Sequence, residues 1–297
     1  MRLIAGYDNY NERDFACLGG PVLTLGIFAL ACGSELKLTD SAASNQSGES
    51  QSENGGIQPL NGEILFSVSE RPWDLAMHPD GSVFCSAQTG GKLYAWTPEA
   101  QEVEEVSGFF EGLVAIDFDS ETLIYTSTAD TNTGSLNRFD LDTNVLTEMS
   151  TQSDDGVLMR WPIDIAQGPD DSWFVADYNA QTVFQVTPTS TRTIATGSTK
   201  PTSVLFVNET LYTGGDDGVF EWHLPTDESA QIDARPAAAL HVVNGTLIAA
   251  GNPNAVFVVN GDPIGFEGPA RHGSMVYNGE QLFLADRIGE GVWVATP

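Results

Sequence analysis

The chain has 297 residues, 41% of them hydrophobic, enough to build a sizeable core in one or two domains. Its 41 acidic against 12 basic residues give a net charge of −29, which argues against nucleic acid or an anionic membrane surface as partner, because phosphate binding needs a cationic face. Three cysteines (Cys17, Cys32, Cys85) cannot build a disulfide framework, and Cys85 in the run SVFCSA reads as a small buried hydrophobe. Two accounts of the acidity stay open: solubility from carboxylates scattered over strand edges, or a surface kept hydrated in high salt, which the presence of only three lysines fits.

No charge occurs from Phe15 to Ser34, and Pro21–Ala31 (PVLTLGIFALA) is almost wholly apolar before small residues and Cys32. This is the pattern of a signal-peptide apolar region and cleavage site, and it is short for a membrane span. The segment FALAC resembles the lipobox of bacterial lipoproteins, in which the cysteine carries the lipid. It differs in having Ala29 three residues before the cysteine, and Asp8, Glu12 and Asp14 stand where basic residues are usual. The resemblance implies a signal segment over residues 1–32, lipidation at Cys32, and a place in the bacterial cell envelope, lipid-anchored or periplasmic to extracellular. Residues 33–58 form a polar tether: Thr39–Gly56 is rich in Ser, Gly, Asn and Gln and too poor in hydrophobes to fold.

Gly62–Val68 (GEILFSV) reads as a strand with no nearby partner. From Pro72 onward one pattern returns six times at a spacing of about 40 residues, the period of propeller blades: a lead-in loop, an apolar strand, a turn, then further short strands. The copies begin near Arg71, Leu113, Arg160, Lys200, Ala234 and Ala270, and RWPIDIAQGPDDSWFVADYNAQTVFQV (Arg160–Val186) is the clearest. In that third copy strands are expected near 162–167, 172–177, 182–187 and 191–196. The last copy offers only three strands, so Gly62–Val68 is expected to supply its fourth and close the ring, removing open edges. The expectation is an all-β, six-bladed propeller of four-stranded blades over residues 59–297. Asp140–Asn144 has the opening spacing of a calcium loop but lacks its glycine and glutamate, and reads as a turn. Asp130, Asp177 and Asp286 end second strands and are expected to cap the next turn.

The run P-x-x-I/L-A, D/P-D-G-x-V/W-F, V-A-D, V-F-x-V is carried by Pro162–Val186 and, more weakly, by Pro72–Trp96 and Leu282–Val294. It resembles the NHL-repeat propellers and the wider six-bladed group that includes gluconolactonase-like proteins. The resemblance is one of fold motifs and spans about four-fifths of the chain. Gluconolactonase-like enzymes use a Glu/Asn/Asp metal set; no asparagine falls at the aligned ring, so no such role is carried over.

Propellers place function at the channel mouth. Arg71, Arg160, Lys200, Arg235 and Arg271 each stand just before an innermost strand, five of the nine basic residues after residue 59; blade two has Glu111 instead. Such a group either clamps an anion or pairs with neighbouring aspartates. Beside it lie Trp73, Asp74, Trp161, Asp164 and His272. Alignment puts Asp74, Ala115, Asp164, Ser203, Ala239 and Ser274 at one level. Two carboxylates and two hydroxyls suit Ca²⁺ only with added carbonyls and water; the alternative is that Asp74 and Asp164 cap backbone N–H groups. The four histidines (His78, His223, His241, His272) fall at unlike positions, and no Gly-x-Ser-x-Gly elbow occurs.

The expected function is therefore binding without catalysis. An envelope-anchored monomer takes a small anionic ligand or an envelope protein at the channel mouth, with no required cofactor, no nucleic acid, and membrane contact only through the lipid. The alternative is a metal-dependent hydrolase or lactonase with Asp74 and Asp164 as ligands and His272 as base.

Overall fold

The computed structural model describes residues 60–87, 91–106, 110–130, 132–194, 196–251, 255–267, 272–289 and 291–297; the side chains of residues 129, 130, 266, 267 and 272 are also outside the description. The signal segment, Cys32, the tether and Arg271 lie outside the described residues. The propeller belongs to the compact unit Asn54–Pro297.

Six antiparallel sheets follow one another along the chain, each with its first strand innermost. The innermost strands are Pro72–Met77, Leu113–Asp119, Pro162–Gln167, Pro201–Val207, Ala239–Val243 and His272–Tyr277, in blades one to six. The third blade continues through Trp173–Asp177, Thr182–Val186 and Thr191–Ile194, within two residues of the sequence expectation at each end. Blade six holds Leu282–Asp286 and Gly291–Ala295, and its fourth strand is Leu60–Ser67, antiparallel to Gly291–Ala295. The ring closes through this N-terminal strand, as the missing fourth strand required. A two-residue stub at the end of blade five, Phe266–Glu267, lies parallel on its outer side.

Turn chemistry explains why the strands fold back where they do. Asn244-Gly245 and Asn208-Glu209 have positive φ at both central positions, the type I′ geometry whose twist suits a two-residue hairpin. At Pro79-Asp80-Gly81, Asp80 Oδ1 accepts the Ser82 N–H at 2.8 Å. Asp140 Oδ1 accepts N–H bonds from Asp142 and Thr143, which makes Asp140–Asn144 a turn rather than a cation loop.

The core is distributed over six seams between blades. Phe84, Leu93, Phe118 and Leu123 fill the seam between blades one and two; Phe174, Val183, Leu211 and Trp222 fill that between three and four. The closing strand serves two seams at once: Leu60 packs with blades five and six, Phe66 with blades six and one. Cys85 is fully buried in the latter seam, a packing residue as expected. Outermost strands such as Glu102–Glu105 are exposed and acidic, which discourages edge-to-edge pairing.

Candidate functional site

Alternation along each innermost strand turns every second side chain toward the next blade. In blade one this gives Asp74, whose Oδ1 accepts the N–H of Leu75 at 2.9 Å and whose Oδ2 accepts that of Ile116, in blade two, at 2.8 Å. Asp164 repeats the pattern two seams further on. Its Oδ1 accepts from Ile165 at 3.0 Å and its Oδ2 from Val204, in blade four, at 2.8 Å. Asp117 of blade two lies between them in sequence, with Oδ1 accepting the Phe118 N–H at 2.8 Å and a further backbone bond from Gln167 of blade three. Hydroxyls and an imidazole also bridge the seams. Ser86 donates to the Val114 carbonyl at 2.6 Å, Thr126 to that of Pro162 at 3.1 Å, and Thr202 to that of Ala237 at 2.7 Å. His241 Nε2 accepts the Tyr277 N–H at 3.1 Å across blades five and six.

Burial disfavours charge on these groups. It raises the Asp74 carboxyl to about 6 and Asp117 to about 7, with neighbouring carboxylates adding to the rise at Asp117. Asp164 is likewise pushed well above the ordinary carboxylate range by burial and by the field of Asp74. Burial lowers His241 to about 4, so its imidazole is neutral and free to accept.

The lead-in loops form the upper end of the bore, and there the rings fill space. Trp73 and Trp161, from blades one and three, approach to 6.3 Å between centroids, and Tyr178 meets Trp161 edge-on at 5.7 Å. Val114, Ile163 and Trp161 are buried together, with Trp73 and Tyr178 packed against them. Asp177, fully buried, aims Trp161 inward: its carboxylate accepts the N–H groups of Arg160 (2.6 Å), Trp161 (3.0 Å) and Ala180 (2.8 Å). Asp286 caps its turn through Ile288 N–H at 3.0 Å; the Asp130 side chain lies outside the described residues.

The predicted basic residues meet different fates. Arg235 is committed to Asp233 in a two-pronged pair, with Nε to Oδ1 at 3.0 Å and Nη2 to Oδ2 at 2.5 Å, while Nη2 also donates to the Val258 carbonyl and the guanidinium covers Phe257 at 4.0 Å. Lys200 Nζ donates to the Tyr178 hydroxyl at 3.3 Å and stands 5.0 Å from the ring centroid. Arg71 and Arg160 are exposed. Arg271 and the His272 side chain are outside the described residues. Arg287, absent from the predicted set, lies 3.7 Å above the centre of the Trp73 ring and donates to the Gly273 carbonyl at 3.2 Å. Only glycine fits at 273, because a Cβ there would come within 2.8 Å of Arg287 and of the Trp73 carbonyl.

Below the rings the bore opens into a cavity of about 370 Å³. It runs from Asp74 and Asp164 toward the far strand ends at Met77, Gln167 and Tyr277. Asp117, His241 and Ser274 share its wall. Asp74, Asp164, Ala239 and Ser274 thus line the cavity where the alignment put them; Ala115 holds the equivalent position in blade two but, like Ser203, is buried outside the cavity wall. Sequence reasoning missed Asp117 and His241; the alternation in LVAIDFD and ALHVV was the available signal.

A calcium site needs six to eight oxygens converging on one point. Asp74 and Asp164 each hold backbone N–H groups with both oxygens, and among the described residues no three His, Cys, Asp or Glu side chains are grouped to share a metal ion. The donor set does not fit one.

No family profile and no curated protein sequence matches the chain. Solved structures do. A gluconolactonase from Xanthomonas campestris superposes with a TM-score of 0.66 at 14% identity, covering 80% of this chain and 89% of that one. Virginiamycin B lyase from Staphylococcus aureus gives 0.57 at 10%, covering 80% and 99%. A streptogramin B lyase gives 0.57 at 13%, covering 80% and 88%. The chain shares their six-bladed fold. At these identities the likeness is one of architecture, and the arrangement of side chains in the bore has to be argued from this protein itself.

Proposed function

We propose that this protein is a non-catalytic binding propeller that takes a small molecule into the lower bore, and that lipid on Cys32 holds it at the cell envelope. The observation that carries the reading is the cavity of about 370 Å³ beneath the Trp73–Trp161 contact, within the range of small-molecule pockets, with polar groups set among apolar side chains on its wall. The favoured position therefore moves from the lead-in loops, where Arg235 is engaged by Asp233, to the opposite half of the channel. Thermal-shift screening of polar small molecules against the full chain tests this. Hits that vanish in the cavity-filling variant Leu205→Trp support it, and hits that survive there contradict it.

The envelope reading rests on the FALAC segment and the polar stretch after it. Labelling cells with a palmitate analogue should mark the protein and leave Cys32→Ala unmarked; equal labelling of both removes the anchor. A second reading, acid–base catalysis in the bore, is favoured by the Asp117 carboxyl, which burial brings to about 7, where a proton is readily exchanged at neutral pH. Turnover of a lactone or ester that Asp117→Asn abolishes would establish it.

A further inference from the structure

The wall of the lower bore is chemically one-sided. Three carboxyls contribute to it, Asp74 and Asp164 near mid-height and Asp117 a step lower, while among the described residues no lysine or arginine does. The imidazole on the wall, His241, is held neutral by burial and has its Nε2 engaged by Tyr277 N–H. The other lining groups are hydroxyls (Thr202, Ser274), the Gln167 amide, and apolar surface from Ile163, Leu205 and Met275.

We infer that the ligand of this cavity is a small organic cation, an ammonium or guanidinium group carried on an apolar stem. The inference rests on the reading of the lower bore as a ligand site. The cavity makes the site; the carboxyls set the class. An ionised carboxylate has about four lone-pair positions, so two backbone N–H bonds at Asp117 and at Asp164, and two with the Ser274 hydroxyl at Asp74, leave acceptor capacity on each. An anion placed here would face three carboxyls in a low-dielectric setting, an arrangement with no compensating cation on the wall. A neutral guest leaves the carboxyls at whatever protonation the pH sets. A cation instead lets them ionise, and its charge-assisted bonds are roughly twice as strong as neutral ones. Its stem meets Leu205 and Met275.

Binding is consequently linked to protons. The groups facing Asp117 are Asp119 on its own strand, Asp74 from blade one, Asp164 from blade three, and His241 across the cavity, with Arg287 acting on Asp74 from above. A cation drives these carboxyls toward the ionised form and expels the protons they hold.

Isothermal titration of the full chain with benzylamine, and with benzyl alcohol as its uncharged match, tests the class. At pH 8 the amine should bind roughly tenfold or more tighter than the alcohol, and Asp117→Asn should weaken the amine by about tenfold while leaving the alcohol unchanged. A measurement on the unmutated chain covers the case in which that variant does not fold. Benzylamine affinity should fall between pH 8 and pH 5 with net proton release near pH 6, while the alcohol shows neither. Equal affinities with no pH dependence would overturn the cation and leave the lower bore as a site for neutral guests. Amine binding unaltered in Leu205→Trp would overturn the site as well, as would the absence of heat from both compounds.

Discussion

The two ends of the channel are built from opposite chemistry. At the upper end, rings and cations are paired off: Arg287 with Trp73, Trp73 with Trp161, Trp161 with Tyr178, Tyr178 with Lys200. At the lower end carboxyls share a cavity that, among the described residues, no cationic side chain lines. The upper end is filled by stacked rings and cations, with Arg71 and Arg160 exposed beyond them, whereas the lower end leaves acceptor capacity and space. A ring of arginines in the lead-in loops looks like a binding face in the sequence. In the folded chain Arg235 is taken up by Asp233 and Phe257 and Lys200 by Tyr178, while Arg71 and Arg160 stay exposed.

Variants and pH can break or sharpen this contrast. The largest effect serves as the control that erases both ends. Deleting residues 57–69 removes Leu60–Ser67 and with it buried Leu60 and Phe66 in two seams, so cooperative unfolding should disappear. A sharp calorimetric melt of the truncated chain would show that closure does not depend on this strand. Next, Trp161→Ala should cost about 3–5 kcal/mol, the usual loss for a buried large ring, read as a lowered denaturant midpoint. Because the ring belongs to the upper end, benzylamine binding in the surviving folded fraction should change less than about threefold; a binding loss without a stability loss would reverse the assignment of the two ends.

The lower end predicts an unusual response to pH. Asp74 and Asp117 rise in the folded state from 3.8 to about 6 and about 7, and Asp164 rises with them. Their contribution to stability is fully present below about 4 and is lost as pH rises through about 6 to 7, because ionising a buried carboxyl disfavours the folded state. His241, lowered to about 4, opposes this: its contribution is present above about 6.5 and lost as pH falls through about 4. Three groups outweigh one, so the melting temperature should increase from pH 8 to pH 5.5, and the increase should be smaller in Asp117→Asn. A melting temperature that falls over this interval would mean that the carboxyls are solvated. The smallest effect belongs to Arg287→Met, which removes the cation over Trp73 at a cost of about 1–2 kcal/mol in chemical denaturation. It should also move the Asp74 titration further up, since Arg287 is the cation acting on that carboxyl.

What could be read from the sequence was whatever repeats. The six copies, the hairpin turns and the lone strand ahead of blade one fix the ring, because a closed sheet needs its last partner and only one segment was spare. Asp74 and Asp164 were legible for the same reason: the Pro-x-Asp spacing recurs, and a bulge after each proline places the aspartate identically. In blade two Ala115 takes that level, its N–H held by Thr126 as the Asp74 N–H is held by Ser86; Asp117 stands two residues further along, where blades one and three carry Ala76 and Ala166, so no recurring spacing marked it. Arg287 escaped because it follows a second strand, and its ring partner Trp73 lies more than two hundred positions earlier. The fate of Arg235 was visible in part, since Asp233 stands two residues before it; what the chain could not convey was that the pair turns back on Val258 and Phe257.

The division of labour between the two ends is tested most directly by a crystal structure of the full chain grown with benzylamine. The predicted result is the amine in the lower bore, its nitrogen within hydrogen-bond distance of Asp117, Asp164 or Asp74 and its ring against Leu205 and Met275. A structure in which the amine lies among the lead-in loops beside Trp73 and Tyr178, with the lower bore filled only by water, would contradict it.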